Sequence, residues 1–65
     1  MTSTVIASRI TEAREARAMS MEDLAENIGV TRQSVSKYEK GIVNPSPEIL
    51  RAISYALSFP AEFFY

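Results

Sequence analysis

This chain of 65 residues contains no cysteine, no histidine and no tryptophan. Without cysteine it can form neither a disulfide nor a thiolate metal site, and without histidine it has no imidazole catalyst and none of the usual zinc sites. It also lacks a Gly-rich phosphate loop and a nucleophile paired with a base, so no enzymatic activity, cofactor or small-molecule ligand is expected. No apolar run approaches the roughly 20 residues needed to cross a bilayer. The N-terminus has no charged stretch leading into an apolar core, the mark of a secretion signal, and a cytoplasmic protein is expected. Positive charge is scarce as well: the net charge is −1 and the pI about 5.3.

What is present is a 46% hydrophobic content, ample for one compact domain spanning the whole chain. The two glycines and three prolines punctuate it: Gly29 and Gly41 end helical patterns, while Pro45, Pro47 and Pro60 open or precede new ones. From about Thr4 to about Arg17, Ile6, Ile10, Ala13 and Ala16 recur at helical spacing. Ser20 is placed to cap a second helix, with Asp23 completing a capping-box-like pair, and Thr31 to cap a third. Ser46 and Pro47 start a fourth, whose apolar face is Ile49, Leu50, Ile53, Ala56 and Leu57. Pro60 starts a short fifth turn carrying Phe63 and Phe64. Nothing alternates as a strand would. The expected fold is all-α, with five short helices.

The densest information lies between Met21 and Lys40, where two helical patterns meet at Gly29. A steep change of direction there needs positive φ, which glycine adopts without steric cost. Leu24, Ala25, Ile28, Val30, Val35 and Tyr38 form the apolar set, and small Ala25 lets the two helices approach. Arg32, Gln33, Ser36 and Lys37 share the opposite face of the later helix. This is the layout of a helix-turn-helix, whose second helix can enter the DNA major groove. Arginine can donate twice to guanine O6 and N7, and glutamine can pair with adenine N6 and N7. Charge is distributed to match. The segment 21–28 carries three acids and no base, whereas 31–41 carries three basic residues against one acid.

Along nearly the whole chain the order of residues resembles the lambda-type phage repressor and Cro family, also called the Xre family. The resemblance is carried by Arg14, Met19-Ser20, Asp23-Leu24-Ala25, Gly29-Val30-Thr31, Gln33-Ser34-Val35-Ser36, Tyr38-Glu39-Lys40-Gly41, Asn44-Pro45-Ser46, Leu50 and Ala56-Leu57. It implies a lambda-repressor-like domain that binds double-stranded DNA as a homodimer on a pseudo-palindrome, as a transcriptional repressor. Arg32, Gln33, Ser36 and Lys37 would then face bases. Ser20, Met21, Thr31, Lys40, Asn44 and Ser46 would lie at phosphates, where helix N-termini favour anions. It further implies a partly buried salt bridge between Arg14 and Glu39.

The chain departs from the family at two places: many members have glutamine where Met21 stands, and Lys or Arg where Ile42 and Val43 stand. These departures and the acidic balance favour a competing reading, a protein-interaction or antitoxin-like module, which Arg32, Gln33 and Lys37 oppose. The tail from Phe59 to Tyr65 holds four of the six aromatics. Phe59 and Phe63 are expected to close the core, and Phe64 and Tyr65 to form a contact between two copies. The tail pattern also resembles the end of an N-terminal domain in larger regulators, some of them fused to metallopeptidase-like domains.

Overall fold

The computed structural model describes residues 4–65. Among the described residues four α-helices follow one another: α1 (Ala7–Ala16), α2 (Met21–Ile28), α3 (Arg32–Glu39) and α4 (Pro47–Leu57). The fifth element is a single 3₁₀ turn, Ala61–Phe64, so the expected five short helices are four α-helices and this turn. Four residues following a proline can close only short-range bonds: Phe63 N–H donates to Pro60 O at 3.0 Å and Tyr65 N–H to Glu62 O at 3.2 Å. No helix among the described residues is long and apolar enough to cross a membrane.

The three expected N-caps are present. Ser20 Oγ accepts from Asp23 N–H at 3.0 Å, Thr31 Oγ1 from Ser34 N–H at 3.1 Å, and Ser46 Oγ from Ile49 N–H at 3.2 Å. α1 differs. It starts at Ala7, with Ile6 extended and no side-chain cap. Ile6 therefore precedes the helical period and is exposed, as is Ala16 at the other end, leaving Ile10 and Ala13 as the buried face. Gly29 closes α2 at φ 75°, and Val30 N–H reaches back to Ala25 O at 3.0 Å. A Cβ added at Gly29 would meet nothing within 4 Å, so the backbone alone demands glycine there.

The core joins all the elements: Ile10 and Ala13 from α1, Leu24, Ala25 and Ile28 from α2, Val35 from α3, and Leu50, Ile53 and Leu57 from α4. Phe64 completes it, fully buried. Val30 and Tyr38 reach the core only in part, packing against its rim. The tail is arranged differently from expectation. Phe64 is the inward ring, while Phe59 and Phe63 are half-buried around it, at centroid distances of 6.5 and 5.3 Å. The bond from Ile6 N–H to Phe64 O, 2.7 Å long, anchors the last turn beside the start of α1.

Candidate nucleic-acid interface

α3 is amphipathic in a way that leaves its polar face free. Val35 is buried against α2 and α1, while Arg32, Gln33 and Lys37 are exposed and Ser36 is half-buried at the edge of the same face. The first turn of α3 contains no acidic residue. Guanidinium, amide and ammonium groups therefore project together from one short helix, offering donors and acceptors of the kind that base edges match.

The residues expected at phosphates lie at helix ends. Ser20 and Met21 open α2, Thr31 opens α3, Lys40 follows its last turn, and Asn44 and Ser46 lead into α4. Ser20, Thr31, Lys40, Asn44 and Ser46 are exposed, whereas Met21 is half-buried against the core. Two features weaken the anion sites. Glu22 and Asp23 occupy the first turn of α2, and Pro47 removes one N–H donor from the start of α4.

Behind the exposed face of α3 stands the ion pair that fixes the helix. Arg14 Nε donates to Glu39 Oε2 at 2.7 Å and Nη2 donates to Oε1 at 3.2 Å. Thr11 Oγ1 donates to the same Oε1 at 2.9 Å, and Arg14 Nη1 donates to Met19 O at 2.8 Å. The side chains are only 12% and 4% exposed. The hydrogen bond to Glu39 raises the pKa of Arg14, burial opposes it, and the carboxylate charge adds to the increase. The pair locks the end of α3 to α1 with its charges satisfied, so it positions α3 without itself reaching outward.

Sequence reasoning missed a second arginine. Arg17 Nε donates to Leu57 O at 2.6 Å and Nη2 to Ser58 O at 3.0 Å, closing the C-terminal end of α4. Its guanidinium also stacks over Phe59, 4.5 Å from the ring centroid. Ser58 ends α4 at φ 57°, a position glycine usually fills. The one available signal was Pro60, two residues beyond that cap. Among the expected tail contacts, Phe64 is corrected: a fully buried ring anchored by the last turn cannot face a second copy, whereas Tyr65 remains 45% exposed.

A helix-turn-helix family model matches residues 10–64, which includes all four α3 candidates and the Arg14–Glu39 pair. The chain belongs to the Cro/C1-type helix-turn-helix family. An uncharacterized HTH-type transcriptional regulator of Sinorhizobium medicae is 40% identical over 60 residues, which cover 92% of this chain and 43% of that protein. This helix-turn-helix domain thus spans less than half the length of that relative. The restriction-modification controller protein C.AhdI from Aeromonas hydrophila superposes with a TM-score of 0.86 at 29% identity, over 91% of this chain and 89% of that one. The biofilm master regulator SinR, solved in complex with DNA, superposes with a TM-score of 0.82 at 30% identity, over 89% of this chain and 97% of that one.

Proposed function

We propose that this domain binds double-stranded DNA in a sequence-specific manner as a cytoplasmic, non-catalytic transcriptional regulator, acting as a repressor. The observation that carries the reading is the free face of α3, where Arg32, Gln33 and Lys37 are exposed on a helix held from behind by a buried ion pair. In this reading α3 enters the major groove, with Arg32, Gln33, Ser36 and Lys37 at base edges. Ser20, Met21, Thr31, Lys40, Asn44 and Ser46 lie along the backbone. One short helix covers only a few base pairs, so two copies act together on a pseudo-palindrome. The DNA-bound state of SinR supports the choice of partner.

The test is a mobility shift on random-sequence DNA at two salt concentrations, followed by recovery of the bound sites. A recovered pseudo-palindromic consensus is expected. Failure to retain any duplex at low salt would instead support the protein-interaction module, which half-buried Met21 and exposed Ile42 and Val43 favour.

A further inference from the structure

The turn that joins α1 to α2, residues 17–20, is held from two sides by arginines. Arg14 Nη1 donates to Met19 O at 2.8 Å, while its Nε and Nη2 hold Glu39 at the end of α3. Arg17 reaches the other way, to Leu57 O at 2.6 Å and Ser58 O at 3.0 Å at the end of α4. Ala18, next in the chain after Arg17, has φ 54°, and Ser58, one of its acceptors, has φ 57°. Among the described residues these are the non-glycine positions with positive φ. Side chains are strained in that region, so each turn persists because its surroundings hold it. Both strained residues adjoin Arg17.

We infer that Arg17 is a positioning residue for DNA: it sets where α2 begins relative to α4, and so the spacing of the two helix N-termini offered to the phosphate backbone. The inference rests on the DNA-binding reading above. Ser20, the N-cap of α2, follows Arg17 by three residues. Ser46, the N-cap of α4, stands at the far end of the helix whose last carbonyls Arg17 holds. That helix has 11 residues and is about 16 Å long, a stiff spacer. Fixing its C-terminal end to the lead into α2 therefore fixes its N-terminal end as well. Leu24 and Ile28 of α2 and Leu50 and Ile53 of α4 belong to one apolar core, but apolar contact has no direction and tolerates small sliding of helices. Hydrogen bonds are directional and tolerate less. A phosphate held by helix N–H groups weakens steeply once its donors are misaligned. Arg17 acts through the turn, because its Nε and Nη2 are taken by carbonyls of α4.

The experiment compares Arg17→Met, which keeps a flexible stem beside Phe59 but donates nothing, with the double variant Arg17→Met, Ser58→Gly. Glycine at 58 closes α4 without strain and without an arginine, so the double variant should regain the parent's melting temperature. Affinity is measured where circular dichroism shows every protein fully folded, so the affinity and not the melting temperature decides. The duplexes are the site that the protein recovers from random DNA and a scrambled version of it, at low salt. Arg17→Met and the double variant should each lose about fivefold or more, by equal factors on both duplexes, because phosphate contacts carry no sequence information. Ser58→Gly alone should bind as the parent does. Affinity that returns with stability in the double variant would make Arg17 a helix cap and nothing more. Unchanged affinity in Arg17→Met, or a loss confined to the recovered site, would likewise overturn the inference, and all three results leave DNA binding itself intact. A parent protein that retains neither duplex removes both readings.

Discussion

Glu39 receives both Arg14, through Nε at 2.7 Å and Nη2 at 3.2 Å, and Thr11, at 2.9 Å, so α1 holds the last residue of α3 by three hydrogen bonds. Removing one partner from such a pair leaves the other charge unpaired and largely shielded from water. Glu39→Ala is expected to cost about 3 kcal/mol, with Glu22→Ala within about 0.5 kcal/mol of the parent. The double variant Arg14→Met, Glu39→Ala should recover part of the loss, since it leaves no unpaired ion. Thermal melting of the four proteins checks this. A raised Arg14 pKa stabilises the fold fully below the ordinary arginine range, and the contribution is lost only as pH climbs through the raised value. Arg14 should therefore add no pH dependence to stability between about pH 5 and 9.

Base readout and backbone contact separate by their sequence dependence. Arg32→Ala and Gln33→Ala should each lose about 1–3 kcal/mol on the preferred site and relax the choice at one base pair. Lys40→Ala should weaken every duplex alike and lower the salt slope by about one. Competition titrations at several salt concentrations distinguish the two patterns. Uniform weakening by Arg32→Ala would reassign that residue to phosphate.

At Gly29 the cost of substitution is conformational only, because an added methyl group meets no neighbour. Gly29→Ala should destabilise by about 1 kcal/mol, Gly29→Asn by less, and Gly29→Val by more, since a β-branched residue tolerates positive φ least. Denaturant melts with unchanged m-values would show that the native fold persists. Equal stability of the alanine and glycine proteins would mean the turn has shifted out of the left-handed region.

The proposed two-fold reading of DNA can be tested by phase. Inserting five base pairs between half-sites turns one by about half a helical turn and should abolish cooperative binding, and an insertion of about ten should restore part of it. Unchanged affinity across the spacing series, with a monomer throughout in sedimentation, would leave each domain reading its site alone.

Elements set by short-range physics were readable along the chain. Ser20, Thr31 and Ser46 each cap the helix that follows because a hydroxyl reaches an N–H three residues on, whatever the rest of the molecule does. Gly29 turns because its own φ permits it. The exposed face of α3 followed from helical spacing, and the Arg14–Glu39 pair followed from family resemblance rather than from spacing. What depended on segments far apart in sequence was decided only by tertiary packing. Phe64 rather than Phe63 is the buried ring, in a turn held by the bond from Ile6 N–H to the Phe64 carbonyl, 58 residues away along the chain. Thr11 joined Glu39, and Arg17 closed α4 in place of a glycine cap, for the same reason. Residue spacing determines which side of a helix is apolar, but which of several adjacent aromatics fills the last space is determined by the shape left by all the other elements.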